Sequence, residues 1–177
     1  MKPALLARAR KVKLVVFDVD GVLTDGGLYY GAQGELLKRF NVKDGHGIVM
    51  ARLAGLPVAV LTARTSKMVA IRAKELRLAK VFQGRREKGP ALVELCGELQ
   101  MTPDDCAYMG DDTNDVAPLR LAGLAACPAD AVAEARREAD LVTKAPGGHG
   151  AARELLELIL KAQGRWADVM RQLTAAG

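Results

Sequence analysis

The sequence predicts an α/β protein in which a parallel β-sheet carries helices on both faces. The main observation is that short apolar, β-branched runs alternate along the chain with longer segments of helical period. A second is the composition: of 177 residues, 50% are hydrophobic and 27% charged, which is ordinary for a protein that buries a core. A third is that no repeat or low-complexity linker interrupts the alternation. We therefore expect a single domain over residues 1–177.

The order of the elements follows from this alternation, and a regular succession of strands and helices predicts parallel strands in a Rossmann-like sheet. Junction residues support several boundaries, because Gly55 and Pro57 end one helix and Thr102 and Pro103 precede a strand. We predict strands at 13–18, 57–61, 80–82, 105–109, 124–126 and 140–143, and helices at 45–54, 66–77, 88–100, 114–122, 130–136 and 150–162.

Two segments lie outside this alternation. Residues 28–30 and 35–40 are β-prone runs on either side of the Gly-rich turn 31–34, a pattern that predicts a β-hairpin flap over 26–40. The tail 164–177 carries apolar residues that include Trp166 and Val169. We expect it to form a short helix that docks on the surface.

The charge of the chain does not by itself indicate nucleic-acid binding. The net charge of +5 would suit an acidic partner, but the basic residues are scattered and only 4% of residues are aromatic. The chain therefore lacks the stacking platform of a protein that binds single-stranded nucleic acid. A basic pocket for an anionic small molecule fits the same charge, and we expect that kind of ligand and no nucleic-acid partner.

The cysteines and the apolar runs bear on the compartment. Cys96, Cys106 and Cys127 lack metal-type spacing and are predicted to be reduced thiols in the core. The apolar run near the basic N-terminus is too short for a signal-peptide core, and no apolar run approaches the length of a membrane span. We expect a cytoplasmic protein with no membrane partner.

Two carboxylates follow the first predicted strand. Asp18 and Asp20 come directly after the apolar run 14–17, and Gly21 allows a sharp turn. Positions i and i+2 of a strand share a side, and open α/β sheets bind ligands at the carboxyl ends of their strands. Two carboxylates this close need a cation between them or a proton on one. The alternative is an Asp-rich turn without chemistry.

A hydroxyl and a guanidinium follow the strand predicted at 57–61. Thr62 comes directly after that strand, where a hydroxyl beside a helix start can donate to a phosphate oxygen. The alternative for Thr62 is a helix N-cap. Arg64 is a candidate for binding phosphate or carboxylate, because its planar fork suits either anion.

A second acidic segment follows the strand predicted at 105–109. Residues 110–115 read Gly-Asp-Asp-Thr-Asn-Asp, and such a group of carboxylates is typical of a Mg²⁺ site, since Mg²⁺ takes a few carboxylate oxygens and keeps waters. Acid-rich loops also cap helices, which is the alternative for Asp112 or Asn114. The predicted ligands are Asp18, Asp20 and Asp111, with Asp112 and Asp115 in a secondary role.

These segments resemble, in order, the motifs of the haloacid dehalogenase superfamily of phosphatases. The resemblance covers residues 13–115 and includes Lys88, which follows the turn 83–87. It implies a Mg²⁺-dependent phosphatase with Asp18 as nucleophile, Asp20 as acid and base, and Thr62 and Lys88 as ligands of the phosphate. It also implies that Lys88 neutralises the nucleophile. The alternatives for Lys88 are a solvated surface lysine, or a role taken instead by Arg85 or Arg86.

A narrower resemblance, over residues 10–163, is to the 3-deoxy-D-manno-octulosonate 8-phosphate phosphatases. The hairpin carries it together with segment 40–47, Phe-Asn-Val-Lys-Asp-Gly-His-Gly, and segment 147–154, Gly-Gly-His-Gly-Ala-Ala-Arg-Glu. Phosphatases of sialic-acid-type 9-phosphates share these markers, so that either substrate stays open. The resemblance implies a homotetramer that acts in lipopolysaccharide biosynthesis and binds its sugar phosphate through Lys43, Gly45, His46, Arg64 and Arg85.

The spacing of the motifs leaves no room for a cap domain. Only 41 residues separate Asp20 from Thr62, and 25 separate Thr62 from Lys88. A capless site is open to water, so we expect the hairpin and the Gly-rich segment of neighbouring subunits to cover it. Two other classes stay open: a non-catalytic relative that partners a sugar nucleotidyltransferase, which would not need Asp20, and a protein phosphatase, which the Gly-rich hairpin disfavours.

Overall fold

Six parallel strands form the central sheet of the computed structural model, which describes residues 3–175. In chain order the strands are β1 (Leu14–Phe17), β2 (Tyr29–Gly31), β3 (Gly34–Leu37), β4 (Val58–Leu61), β5 (Lys80–Phe82), β6 (Cys106–Met109), β7 (Leu124–Cys127) and β8 (Leu141–Val142). The sheet order is β5-β4-β1-β6-β7-β8, and β2 and β3 form a separate hairpin. The predicted parallel sheet is confirmed, and β1 lies in its middle.

Helices cover both faces of this sheet, as predicted. They are α1 (Pro3–Lys11), α2 (Val42–Leu53), α3 (Lys67–Leu76), α4 (Lys88–Glu98), α5 (Val116–Leu121), α6 (Ala133–Glu138), α7 (Ala151–Ala162) and α8 (Trp166–Ala175). Because side chains alternate along β1, Leu14 and Val16 join the core under α4, α5 and α6. Val15 and Phe17 join the core under α1, α2 and α7.

Several boundaries differ from the predicted ones for local reasons. The sequence pattern does not predict α1, which buries only Leu5 and Ala9 and therefore has too short an apolar stripe to be recognised. Helix α2 begins at Val42 rather than 45, because Asn41 caps it by accepting from the backbone N–H of Lys43 at 2.8 Å. The helix predicted at 114–122 is divided into a 3₁₀ turn, Thr113–Asp115, and α5.

The hairpin and the C-terminal helix both form where the sequence predicts them. Strands β2 and β3 pair antiparallel, with Tyr30 opposite Glu35. Helix α8 docks through Val169, which is buried, and through Trp166, whose ring lies 4.4 Å from the ammonium of Lys161. Among the helices of residues 3–175, none is long and apolar enough to cross a membrane.

Candidate active site

The predicted functional residues meet at the carboxyl edge of the three middle strands. Phe17, the last residue of β1, is level with Val60 of β4 and Met109 of β6, so the segments that follow these strands leave the sheet side by side. Between them lies a cavity of about 130 Å³, lined by Asp18, Asp20, Thr62, Ala63, Arg64, Asp111, Asp112 and Asn114. One cavity thus brings together acidic groups, a hydroxyl and a guanidinium.

Backbone constraints explain the turn after Asp18. The backbone N–H of Asp18 donates to the carbonyl of Met109 at 3.0 Å, which ties the loop to the end of β6. Gly21 has a φ of +83°, and an added Cβ there would collide with the carboxylate of Asp111. Glycine at this position therefore allows the two acidic segments to approach each other.

Lys88 is the buried cation of the site. It is the first residue of α4, and its side chain is 0% exposed. Its ammonium lies 2.7 Å from Oδ2 of Asp18 and 2.7 Å from Oδ1 of Asp115. Burial lowers the pKa of Lys88, but the charges of Asp18 and Asp115 outweigh this effect and the net shift is upward. The alternative of a solvated surface lysine is wrong.

Asp115 has a donor on each of its oxygens and is completely buried. Oδ1 accepts from Lys88 at 2.7 Å and from the phenol of Tyr108 at 2.6 Å. Oδ2 accepts from the backbone N–H groups of Asp111 at 3.1 Å and Asp112 at 3.3 Å. Such a carboxylate serves best as an anchor that orients its neighbours.

The cluster of carboxylates as a whole fits a divalent cation. Oxygens of Asp18, Asp111 and Asp115 lie within 4.8 Å of one another. Oδ1 of Asp18 and Oδ1 of Asp111 are buried without any hydrogen-bond partner in residues 3–175, a costly state that a cation between them would relieve. Hard oxygen donors at this spacing suit Mg²⁺.

The pKa shifts have the same cause. Burial, followed by the charge of Asp115, raises the pKa of Asp18 to about 7 even though Lys88 opposes the rise. Burial, followed by the charges of Asp18 and Asp115, raises the pKa of Asp111 to about 8. Three carboxylates share one ammonium, and the group therefore lacks positive charge.

Asp20 faces the hairpin of its own chain. Its carboxylate contacts the ammonium of Lys38 and lies 3.7 Å from Nε of Arg64. Lys38 also pairs with Glu35 at 3.0 Å, and Arg64 donates to the phenol of Tyr30 at 2.9 Å. The side chain of Asp20 lies outside the cluster of Asp18, Asp111 and Asp115. Its contact with Lys38, and that of Arg64 with Tyr30, attach the hairpin to the mouth of the cavity.

Thr62 and Asp112 differ in their capping roles. Thr62 is buried at the end of β4, and Ser66 rather than Thr62 is the N-cap residue of α3, so the capping alternative for Thr62 is wrong. Asp112 caps the 3₁₀ turn by accepting from the backbone N–H of Thr113 at 2.6 Å.

The other residues predicted to bind substrate lie outside this cavity. Lys43 and His46 are exposed on the first turns of α2, and Gly45 packs against Arg72 on the inner side of that helix. Arg85 pairs with Glu94 at 2.7 Å and stacks on the ring of Phe82. A role for these four residues in substrate binding stays a prediction.

The sequence analysis does not predict three side chains that support the site. These are Tyr108 in the core behind Asp115, and Lys38 and Glu35 in the hairpin. Tyr108 lies in an apolar strand, where nothing in the pattern distinguishes a buried phenol from a core ring. Lys38 and Glu35 lie at the end of a hairpin, where charges are usually solvated. Their i, i+3 spacing was the one signal available, and it predicts an ion pair but not its contact with Asp20.

Comparison with known proteins defines the class. Residues 58–155 match the family of haloacid dehalogenase-like hydrolases. The chain is 41% identical over 168 residues to the 3-deoxy-D-manno-octulosonate 8-phosphate phosphatase KdsC of Escherichia coli, an alignment of 95% of this chain and 89% of that protein. The chain belongs to the haloacid dehalogenase-like hydrolases.

Solved structures give a finer likeness. The chain is similar to the 3-deoxy-D-manno-octulosonate 8-phosphate phosphatase of Moraxella catarrhalis in complex with magnesium, phosphate and KDO, with 37% identity, a TM-score of 0.94, and 98% and 99% of the two chains covered. It is also similar to the cobalt-bound deoxy-D-mannose-octulosonate 8-phosphate phosphatase of Haemophilus influenzae, with 40% identity, a TM-score of 0.87, and 89% and 92% covered.

Proposed function

We propose that this protein is a Mg²⁺-dependent phosphatase that hydrolyses 3-deoxy-D-manno-octulosonate 8-phosphate through an aspartyl-phosphate on Asp18. The observation that carries the proposal is the buried pair of Asp18 and Lys88, together with Oδ1 of Asp18 and Oδ1 of Asp111, which have no hydrogen-bond partner among the described residues 3–175. The likeness to phosphatases of this substrate over nearly the whole chain supports the choice of sugar.

The first step transfers the phosphoryl group to the enzyme. An oxygen of Asp18 forms a bond to phosphorus while the bond from phosphorus to the sugar oxygen breaks. Asp20 gives its proton to the departing sugar oxygen. In the second step, water attacks phosphorus and returns a proton to Asp20, and the bond between Asp18 and phosphorus breaks to release phosphate.

The neighbouring groups hold the phosphoryl oxygens in both steps. Thr62 donates from its hydroxyl, and Lys88, beside Asp18, supplies positive charge to the equatorial phosphoryl oxygens, whose negative charge must be stabilised in the transition state. Bound Mg²⁺, held by Asp18 and Asp111, would offset the charge of the nucleophile and the phosphate. The structure also includes Asp20 among the residues lining the cavity, and its part in metal binding remains a prediction.

Phosphate release across a substrate panel tests the proposal. We expect release from 3-deoxy-D-manno-octulosonate 8-phosphate with Mg²⁺, at a higher kcat/KM than from sialic-acid-type 9-phosphates or phosphopeptides, and loss of the activity with a chelator. A preference for the 9-phosphate would replace the sugar but keep the chemistry. No release from any phosphate ester would favour a non-catalytic partner of a sugar nucleotidyltransferase.

We also propose that the protein is a cytoplasmic homotetramer in which hairpins cover one another. The hairpin exposes large apolar side chains, with Leu36 68% and Tyr30 58% exposed. A two-stranded element with such a surface is marginal alone and leaves open edges, whereas closed symmetry buries both. Light scattering tests this: a tetramer is expected, and Leu36→Glu should reduce the mass, whereas a wild-type monomer contradicts the assembly and leaves the chemistry at Asp18 intact.

A further inference from the structure

Tyr108 is a completely buried phenol whose hydroxyl makes one polar contact within residues 3–175, and that contact belongs to the site. It lies on β6 in the core under α4, α5 and α6. Its hydroxyl donates to Oδ1 of Asp115 at 2.6 Å. The ring fills the core as a phenylalanine would, so packing alone does not require the hydroxyl.

This hydrogen bond belongs to a chain of contacts that runs from Tyr108 through Asp115 and Lys88 to the nucleophile Asp18. Oδ1 of Asp115 accepts from Tyr108 and, at 2.7 Å, from Lys88, while the same ammonium lies 2.7 Å from Oδ2 of Asp18. Lys88 is therefore held at equal distances between two carboxylates. Its position depends on how firmly Asp115 is fixed from behind.

The position of Lys88 is sensitive to the loss of any one of these contacts, because the groups are charged and buried. The side chains of Lys88 and Asp115 are both 0% exposed, and hydrogen bonds in such a buried network reinforce one another. Without the phenol, Oδ1 of Asp115 would have only the ammonium as donor. Lys88 would then shift toward Asp115, and its contact with Asp18 would weaken.

We propose that Tyr108 is a positioning residue for the phosphoryl transfer: its hydroxyl fixes Asp115 so that Lys88 stays on Asp18. This inference rests on the proposed function. Tyr108 touches neither the cavity nor the reacting atoms, so its loss acts on the charge that Lys88 supplies in the transition state rather than on the binding of the sugar.

The Tyr108→Phe variant tests the proposal, because it removes one oxygen and keeps the ring. We expect kcat to fall about tenfold, the effect of one buried hydrogen bond to a charged group, with KM unchanged within about twofold. Cys106→Ala is the matched control, since it disturbs the same strand and the same core without touching Asp115. Its kcat should stay near the wild-type value.

A double-mutant cycle separates positioning from a general loss of packing. In the Asp115→Ala background, Tyr108→Phe should cost less than about twofold in kcat, because the acceptor that joins Tyr108 to Lys88 is already absent. Replacing Tyr108 with 4-aminophenylalanine, which keeps a donor of similar size, should restore part of the kcat even where Tyr108→Phe folds poorly.

Three outcomes would overturn the proposal: a kcat of Tyr108→Phe within about twofold of wild type, an equal loss in Cys106→Ala, or additive losses in the cycle. Every rate is compared with wild-type hydrolysis of the same substrate. If the proposed function is wrong, the wild-type enzyme itself does not hydrolyse the substrate. If only the role of Tyr108 is wrong, the wild-type rate is normal and the ratios of variant to wild-type kcat differ from those expected.

Discussion

The active site has two parts that are built differently. We call the buried cluster of Asp18, Lys88, Asp111 and Asp115 the floor, and the contacts of Asp20, Glu35, Lys38 and Arg64 at the mouth of the cavity the rim. On the floor, Lys88 and Asp115 have side chains with no exposure and are fixed by bonds of 2.7 Å. On the rim, Arg64 is 40% exposed and reaches the flap through Tyr30. Partly exposed ion pairs contribute little to stability, so the contacts of Arg64 can rearrange at small cost, whereas those of Lys88 cannot.

The charge balance differs as well. The floor has three carboxylates for one ammonium, and the rim pairs the carboxylates of Asp20 and Glu35 with two cations. The imbalance leaves the floor in need of a divalent cation, while the rim is neutral until an anionic substrate competes for its cations. We infer that the floor sets the chemistry and the rim selects the substrate.

The largest expected effect is on the floor, at the nucleophile. Asp18→Asn should abolish phosphatase activity, because the amide keeps the shape but cannot attack phosphorus. Phosphate release at saturating substrate measures this. Hydrolysis near the wild-type rate would contradict the assignment of Asp18.

The same variant tests the charge imbalance through stability. The folded pKa of Asp18 is raised to about 7, so its contribution to stability is present below the usual pKa of 3.8 and is lost as the pH rises through about 7. At pH 8, metal-free Asp18→Asn should therefore unfold at a higher temperature than metal-free wild type. Mg²⁺ should raise the melting temperature of wild type more than that of the variant.

Lys88→Met should have the next largest effect. Removing a preorganised charge beside developing charge typically costs ~10²–10³-fold in kcat. It also leaves Asp18 and Asp115 buried without their cation, which costs about 3–5 kcal/mol in the free energy of unfolding. Denaturant unfolding with and without Mg²⁺ measures the second loss, which Mg²⁺ should partly reverse. A variant of wild-type stability would show that the ion pairs do not hold the floor.

Asp20→Asn tests the boundary between floor and rim. A positioned acid contributes ~10²–10⁴-fold when the departing oxygen is a basic alkoxide, and less for a good leaving group. We expect a large fall in kcat for the sugar phosphate and a smaller one for an aryl phosphate. Equal losses for both substrates would remove Asp20 from the acid role.

Some features of the fold follow from sequence patterns, and others depend on tertiary packing. The parallel sheet and the location of Asp18, Thr62 and Asp111 at one edge follow from the alternation of elements, because the carboxyl ends of parallel strands share one side. Helix α1 and the split of the helix before α5 depend on tertiary packing, which a short apolar stripe does not reveal.

The contacts within the site show the limit more sharply. The order of motifs predicts that Lys88 serves the nucleophile. The hydrogen bond from Tyr108 to Asp115 depends instead on how the 3₁₀ turn after β6 folds back over its own strand, which no sequence pattern shows. On the rim, the contact of Lys38 with Asp20 depends on how the hairpin folds back. A contact between side chains 18 positions apart, across a segment that contains the hairpin, is not encoded in any periodicity.

The smallest expected effect is on the rim, and two arginines make a matched pair there. Arg64 lines the cavity, whereas Arg85 pairs with Glu94 outside it, although the sequence suggests both as ligands of the substrate. Arg64→Met should raise KM for the sugar phosphate about tenfold, the value of one hydrogen bond to a charged group, with kcat changed much less. Arg85→Met removes the same charge from a similar exposure and should raise KM much less, because Arg85 is held by Glu94 outside the cavity. Steady-state kinetics with the sugar phosphate measures KM for both variants.

An increase of KM in Arg85→Met equal to that in Arg64→Met would contradict this prediction. It would mean that the substrate reaches beyond this cavity, toward the turn before α4 or a neighbouring subunit. The rim would then be only part of the surface that selects the substrate.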